Sequence, residues 1–386
     1  MRVTLVSEVF PPRAGGAGWS ARALGLALRE AGHDVGVVTT SPGPEEMDGL
    51  RVRRLKVRGR KRLAFPRAFA ASLADVEGVV HAQHSLSALG ALRGERSRRV
   101  VVTVRDHWPV CFWSTRISRG RVCPACGLLP MTRCVTGRVR LPPPFSWGAI
   151  PYMQLDLRLK QRALRRAGAV LAVSHAIARE LHAAGIPRVE AVPNIVDPEE
   201  ARALAQEPPS FALPERFALF VGKLEENKGA RLLVPALASA RAQLPLVVLG
   251  EGTLAHELKF EAVARDIPLV LRGWASREDV LRAMARATVL VFPSLWPEPL
   301  SRVLLEALAL GVPTAAMDTG GTREILEHGE SGLLAADPHQ LGEEVARVAA
   351  DAGLARRLAE GARARAQLFS PQALVPRYEA VYRRLA

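Results

Sequence analysis

Two glutamates in the segment FPSLWPEPLSRVLLEALALG, Glu298 and Glu306, are the residues best placed for chemistry. The apolar run ending at Phe292 has strand character, and Pro293, Pro297 and Pro299 make the turn after it. A helix is expected from about Ser301 to Leu310, stopped by Gly311 and followed by Pro313. Glu298 then falls just before the helix and Glu306 inside it. The first turn of a helix offers backbone N–H groups without intrahelical partners and a partial positive charge, a natural seat for a phosphate. Ser301 can cap that turn or donate its hydroxyl. Glu306, further along, is placed to accept hydrogen bonds from two ribose hydroxyls. Glu298 lies beside the anion seat, where a sugar would hang from a diphosphate. The plain alternative is a capped helix with one exposed and one half-buried glutamate. It is weak for Glu306, which Leu304, Leu305 and Leu308 flank, because an acid is costly to bury unpaired.

The cysteines form a second constellation. Cys111, Cys123, Cys126 and Cys134 are the only four and fall in one short stretch. CPAC supplies a ligand pair at the spacing a tetrahedral zinc takes, and the outer two cysteines can complete the set. Such a site is structural, because four protein ligands leave no position open for chemistry. Four free thiols packed as small apolar groups are the alternative, and disulfides are disfavoured in a reducing compartment.

The elements that must position these residues alternate between strand and helix. Val3–Val6, Asp34–Thr39, Val79–His81, Val100–Val104 and Ala169–Val173 read as strands, with a helix from Trp19 to Ala31 that stops at Gly32. After VPNIVD the pattern restarts. Phe217–Val221, Pro245–Leu249, Leu269–Leu271, Val289–Phe292 and Thr314–Met317 read as strands, and a helix starts near Ala230. Regular alternation of this kind implies parallel sheets covered on both faces, hence two doubly wound α/β halves with ligand crevices at the carboxyl ends of their strands. The expected domains are 1–193 and 194–370, with an amphipathic tail helix, 371–386, packing back on the first. Residues 107–152 resist the scheme, being rich in Pro and Gly and poor in periodicity. A loop that long needs something to hold it. Its end, LPPPFSWGAIPYM, carries Phe145, Trp147 and Tyr152 and reads as an exposed apolar lobe, open to lipid contact or to packing on the cysteine loop.

Composition sets the outer bounds. The 386 residues are 48% hydrophobic and 24% charged, a globular rather than a disordered balance. The opening MRVTLVSEVFPP holds too short an apolar run for a secretion-signal core, and no apolar stretch approaches the roughly 20 residues of a membrane span. A cytoplasmic location is therefore expected, with peripheral contact at the inner face of the plasma membrane left open. The formal charge of +15 attracts anionic partners, whether nucleotide phosphates, acidic lipid or RNA. The densest run, Arg51 to Arg62, alternates apolar and basic residues in its first half, as a strand with a solvated basic face would. A docking patch for lipid or nucleic acid is the competing reading.

The glutamate segment resembles the E-x7-E signature of the retaining glycosyltransferases of family 4, which have the GT-B fold: two Rossmann-like doubly wound domains facing an interdomain cleft. The resemblance covers essentially the whole chain. PPRAGGAG with the following GHDV is similar to the family's N-terminal glycine loop, and SHAIARELHAAGIP and VPNIVD to its interdomain passage. VGKLEENKG, VLGEGT, LRGW, VFPS and GGTREILEHGESGLL resemble the successive stations of its donor-binding half. Each is weak alone, and the order and spacing make them specific together. The resemblance implies that Glu306 holds the donor ribose and that Glu298 contacts the transferred sugar near its anomeric carbon. It gives Lys223 and Lys228 to the diphosphate, Leu300 and Ser301 to the distal phosphate, and Gly15, Gly16, Gly250 and Gly273 to the close backbone approach. Lys223 stands where arginine is commoner, keeping the charge and losing the two-pronged geometry. Ser301 stands where glycine is common. Many members carry a histidine after the strand VVVTV, where this chain reads Arg105, Asp106, His107, Trp108. A subgroup with a cysteine-rich insertion in the N-terminal domain is closest. Asp106 is then the candidate to orient or deprotonate the acceptor hydroxyl, with Arg105 offsetting its charge; His107 is the alternative, and both can be structural. His81 and His84 read as satisfied polar groups at the crevice wall.

The implied function is transfer of a hexose from a UDP- or GDP-sugar to a glycan or lipid-linked acceptor in cell-envelope or exopolysaccharide synthesis, with retention of configuration. No cofactor is expected for catalysis, and the four cysteines offer a structural zinc. A nucleotide-sugar-binding protein without turnover and an RNA-directed enzyme stand as alternatives. Nucleic acid is disfavoured, because the chain lacks an aromatic-and-basic module for single-stranded RNA.

Overall fold

Buried β-branched runs punctuated by glycine dictate the sheets. The computed structural model of the chain describes residues 1–93, 95–118, 121–123, 126–138, 142, 144–239 and 244–385. Pro124 and Ala125 of CPAC, and Leu141 and Pro143 of the proline-broken stretch, lie outside these. The chain divides into two units, Met1–Ile195 with Pro371–Ala386, and Val196–Ser370. The division thus falls just past the expected 193, and the tail helix belongs to the first unit.

In the first unit the strands are β1 (Arg2–Ser7), β2 (Asp34–Thr39), β3 (Glu46–Met47), β4 (Leu50–Arg54), β5 (Val79–Ala82), β6 (Val100–Val104), β7 (Ile117–Ser118), β8 (Arg121–Val122), β9 (Ala169–Ala172) and β10 (Val189–Ala191). Eight of them form one sheet in the order β10-β9-β6-β5-β1-β2-β4-β3, parallel except for the β3 edge, while β7 and β8 pair apart. The second unit holds β11 (Ala218–Val221), β12 (Leu246–Leu249), β13 (Leu269–Gly273), β14 (Val289–Phe292), β15 (Thr314–Met317) and β16 (Leu333–Ala335). They form a parallel sheet in the order β13-β12-β11-β14-β15-β16. Its core packs Leu233, Leu237, Leu341 and Val345 of the covering helices against Phe220, Val248 and Val291 of the strands. Among the described residues no helix is long and apolar enough to cross a membrane.

The basic run resolves into strand and brace. β4 alternates buried and exposed positions, with Leu50 and Val52 inside. Arg54, at its end, donates to the carbonyls of Pro44, Ser41, Pro42 and Pro11 at 2.6, 2.9, 3.0 and 3.0 Å. Part of the +15 is thus spent inside the fold, tying down backbone that no strand satisfies.

The insertion is more ordered than its sequence reads. It contains the helix Leu128–Arg138, and another, Ala149–Leu164, starts within it. The first hides its period because only Met131 and Val135 face inward, while Leu128 and Leu129 are exposed. Phe112, Met131, Val135, Ile150, Met153 and Leu157 make a small core of their own, so apolar burial holds this region. Phe145, Trp147 and Tyr152 are exposed, as the lobe reading expects.

The helix Pro371–Arg383 inserts Tyr378 and Tyr382 into the first unit, both buried. The Tyr378 hydroxyl donates to Pro193 O at 3.0 Å, and the Tyr382 hydroxyl lies 2.7 Å from His81 Nδ1. His81 Nε2 is 2.7 Å from Thr103 Oγ1. Burial, with Arg105 nearby, holds the His81 pKa down at about 3, so the ring is neutral and offers one donor and one acceptor to two hydroxyls. We predict that Tyr382→Phe, which leaves a buried ring nitrogen unpaired, lowers unfolding free energy by about 1–3 kcal/mol, read from the urea midpoint at unchanged slope.

Candidate functional site

A doubly wound sheet opens a crevice where adjacent strands send their chains in opposite directions. In the second unit β11 leads outward through β12 to β13, and β14 leads the other way through β15 to β16, so the crevice lies beyond the carboxyl ends of β11 and β14. The loop after β11 carries Lys223 and Lys228, and the loop after β14 carries Glu298. Lys228 Nζ donates to both Glu298 oxygens, at 3.0 and 2.9 Å, bridging the two loops. The Ser294 hydroxyl donates to Glu298 Oε2 at 3.0 Å, and the ammonium stands 4.3 Å from the centre of the Trp296 ring. The Asn227 carbonyl accepts from the Leu295 and Trp296 amides, binding the loops further. Lys223 is exposed on the same turn.

Glycines bring the backbone close. Gly250 and Gly273 pair across the ends of β12 and β13, and Gly250, at φ +154°, abuts the Gly222 carbonyl where a Cβ would overlap it. Gly320, at φ +56°, presses on the Glu298 backbone, and a Cβ there would strike its N and O. The neighbouring Gly321 N–H donates to Glu298 O at 2.6 Å. The GG of GGTREIL therefore fixes the height at which Glu298 sits.

The helix after the second loop spans Arg302–Leu310, capped by Ser301, whose Oγ accepts from the Leu304 amide, and ended by Gly311 at φ +70°. Leu300 and Ser301 are buried at its start. Glu306 is buried and paired. Its Oε1 accepts from Arg302 Nε at 3.0 Å and from Arg277 Nε at 3.5 Å, and Arg277 also grips Glu200 at 3.2 and 3.0 Å. Burial works against the Arg277 charge, but Glu306 and Glu200 outweigh it and hold the guanidinium above its usual range. The buried acid thus has the partners its position demands, and neither arginine was singled out in the sequence.

The first unit's strand order reverses between β1 and β5. Glu8 directly follows β1, and one of its oxygens accepts from the amides of Leu86 and Ser87 in the helix after β5. Sequence reasoning missed this carboxylate, although an acid next to a central buried strand is the available signal. Burial pushes the Glu8 pKa up to about 6, against the two amides, with Asp106 adding to the rise. Asp106 accepts from the Trp108 amide at 2.8 Å. Burial raises its pKa too, against that amide, His107 and Lys160. Arg105 donates to Gln83 Oε1 and Asn194 Oδ1. His107 Nδ1 lies 2.7 Å from Glu180 Oε2, and Arg116 pairs with the other Glu180 oxygen. His84 differs from the expectation of a satisfied group: its Nε2 is buried without a partner, and burial holds its pKa near 3. The helix starts earlier than the Trp19 read from the sequence: Gly15 caps the helix Gly16–Glu30 without a side-chain bond, and a Cβ there would meet open space. The four cysteines line one cavity, yet among the described residues no group of three or more metal-ligating side chains is gathered tightly enough to hold an ion.

Known proteins with this organisation are numerous. Residues 14–200 match the family model described as Glycosyltransferase Family 4, and residues 202–365 match Glycosyl transferases group 1. Glycogen synthase of Mycobacterium tuberculosis (strain CDC 1551 / Oshkosh) is 27% identical over 388 residues, 95% of this chain and 90% of that protein. The N-acetylgalactosamine-N,N'-diacetylbacillosaminyl-diphospho-undecaprenol 4-alpha-N-acetylgalactosaminyltransferase of Campylobacter jejuni is 34% identical over 152 residues, 38% of this chain and 40% of that one. The structure of Anabaena HepE in complex with UDP-glucose superposes with a TM-score of 0.71 at 18% identity, covering 98% of this chain and 100% of that one.

The raised Glu8 pKa makes a prediction. A carboxyl whose folded pKa lies above its unfolded value holds its proton more tightly when folded, so stability is lost as pH rises from about 4.5 to about 6. Relative to Glu8→Gln, which cannot ionise, the wild type should lose about 1–2 kcal/mol between pH 4.5 and 7. Parallel urea titrations across that range measure the difference, and a constant gap would contradict the assignment.

Proposed function

This chain belongs to glycosyltransferase family 4, with the GT-B fold of two Rossmann-like halves, and we propose that it transfers a hexose with retention from a UDP- or GDP-sugar to a lipid-linked or glycan acceptor. The observation that carries the reading is the Lys228–Glu298 pair spanning the second unit's crevice beside the capped helix of Glu306. A nucleoside diphosphate sugar needs a ribose acceptor, a cation and helix amides for the phosphates, and a carboxylate for the sugar hydroxyls. All of these lie on the two loops and the helix that leave one crevice. UDP-glucose bound to HepE, which shares the fold, supports a nucleotide-sugar donor.

In the reaction the acceptor oxygen bonds to the anomeric carbon as the bond from that carbon to the diphosphate oxygen breaks. Attack from the face the leaving group departs keeps the configuration, and the acceptor proton leaves on the diphosphate. Lys228, Lys223 and the helix amides at Ser301 meet the charge that develops there. Glu298 holds the sugar hydroxyls, its carboxylate oriented by the hydrogen bonds from Lys228 and Ser294. Asp106 and Glu8, at the first unit's crevice, are placed to hold the acceptor hydroxyl.

Of the two acceptor classes, a lipid-linked one is favoured by the surface of the insertion. Tyr152, Leu155 and Leu159 make an exposed apolar stripe on the helix Ala149–Leu164. Arg62 donates to the Tyr152 hydroxyl at 3.0 Å, so the basic run adjoins that stripe. Apolar and cationic groups side by side suit an anionic bilayer surface. The Campylobacter relative, whose name places a diphospho-undecaprenol in its substrate, supports the same choice.

A thermal-shift panel of UDP-, GDP- and ADP-sugars tests the donor half. One nucleotide should raise the melting temperature by several degrees at concentrations on the order of 100 Kd, because it binds only the folded state. Glu306→Gln keeps an oxygen for Arg302 and Arg277 but removes their buried counter-charge, so it should melt below the wild type without ligand and lose most of the ligand-induced shift measured against its own baseline. Folded wild-type protein that ignores the whole panel would overturn the reading.

A further inference from the structure

The first unit carries its charge and its exposed apolar groups in the same place. Residues 107–164 hold nine lysines and arginines against a single acid, Asp156, and residues 51–62 hold eight and no acid. Together they contribute a formal +16, against +15 for the whole chain, so the remaining residues are close to neutral. The two segments meet in the fold. Arg62 donates to the Tyr152 hydroxyl at 3.0 Å, and its guanidinium stands 4.8 Å from the centre of the Phe112 ring. Arg51 and Arg54 are engaged by Asp34 and by backbone carbonyls, while Arg58, Arg60, Lys61 and Arg62 are exposed.

The helix Ala149–Leu164 is apolar on two opposite faces. Ile150, Met153 and Leu157 belong to the insertion's small core. Tyr152, Leu155 and Leu159, spaced three and four residues apart, form the other stripe, and each is more than half exposed. A helix apolar all round normally has apolar surroundings on every side, and here the outer stripe is open. Arg158 and Arg162, also exposed, run along one edge of that stripe. Asp156 lies 2.6 Å from Lys160, so the helix's one acid is already paired. The turn Phe145–Gly148 leads straight into the helix and exposes Phe145 and Trp147. Aromatic rings at the end of an aliphatic stripe edged by arginine match the layers of a bilayer surface, from acyl boundary to headgroup phosphate. Nucleic acid would call for bases stacked on aromatic rings, which Leu155 and Leu159 do not offer.

We propose that this face docks the first unit on an anionic bilayer surface. The helix Ala149–Leu164 lies along the interface, with Tyr152, Leu155 and Leu159 entering the acyl boundary and Phe145 and Trp147 at headgroup depth. Arg158 and Arg162 meet lipid phosphates, and the exposed cations of 58–62 add an attraction that falls off within a Debye length. The partner is the bilayer itself, distinct from any acceptor molecule, and the docking rests on this surface alone. Its failure would remove the preference for a lipid-linked acceptor and leave the donor crevice and the sugar-transfer reading in place.

Sedimentation of the full chain with lipid vesicles tests it. Phosphatidylcholine vesicles containing phosphatidylglycerol should bind it at least about tenfold more tightly than phosphatidylcholine alone, and salt at about 1 M should remove most of that difference. Brominated acyl chains should quench the tryptophan fluorescence of the bound protein, and Trp147→Phe should lose most of that quenching. The double variant Leu155→Ser/Leu159→Ser, changed at exposed positions, should melt near the wild type and bind vesicles on the order of tenfold more weakly. Arg158→Gln/Arg162→Gln should weaken binding on the order of tenfold as well, and only to the anionic vesicles. Equal binding to both vesicle types, or undiminished binding by the folded leucine variant, would overturn the proposal. So would retention on tRNA or polyglutamate that matches the vesicle affinity without any bromolipid quenching, the mark of general attraction to charged polymers.

Discussion

A carboxylate sunk among the ends of a parallel sheet must be met by a cation or by donors, and the Lys228–Glu298 pair meets that requirement in the second unit. The pair does more than neutralise charge. Lys228 comes from the loop after β11 and Glu298 from the loop after β14, so their bond ties together the two loops that the strand reversal drives apart. The Gly320 backbone also packs against the Glu298 backbone, and the Ser294 hydroxyl donates to its carboxylate. Remove the cation and a buried acid stands with one hydroxyl for company, a state costing several times what an exposed ion pair contributes.

The first unit solves the same problem differently. Glu8 crosses its reversal point to the amides of Leu86 and Ser87, so a helix start takes the place of the lysine. Amides compensate less fully than an ammonium, and Glu8 keeps a raised pKa beside a second raised carboxyl, Asp106. One crevice therefore holds the Lys228–Glu298 ion pair, and in the other burial raises two carboxyls, Glu8 to about 6 and Asp106 above its usual range. Under the function we propose, that contrast suits a half that binds a charged leaving group and a half that handles a hydroxyl.

Much of this was legible because the second unit's site is local in sequence. Phe292 to Gly311 contains the strand end, the turn, the cap, both glutamates and the stop, and each signal is short-range. The glycine stations were legible for the same reason. What escaped depends on contacts across long separations. Arg277 reaches Glu306 from another helix, and Glu8 reaches Leu86 across 78 residues, so no spacing rule exposes either. The helix Leu128–Arg138 escaped because its inward face is only Met131 and Val135, while its exposed leucines invert the usual pattern. The net charge misleads in a related way, since Arg54 and others like it brace backbone carbonyls instead of facing a partner.

The central claim is that the second unit's crevice seats the diphosphate and sugar of the donor. Hydrogen–deuterium exchange with and without saturating UDP- or GDP-sugar tests it most directly, because amides that grip a ligand slow their exchange. The account predicts protection concentrated in residues 222–229 and 298–306. Protection confined to the first unit, or to the cysteine insertion, would contradict it.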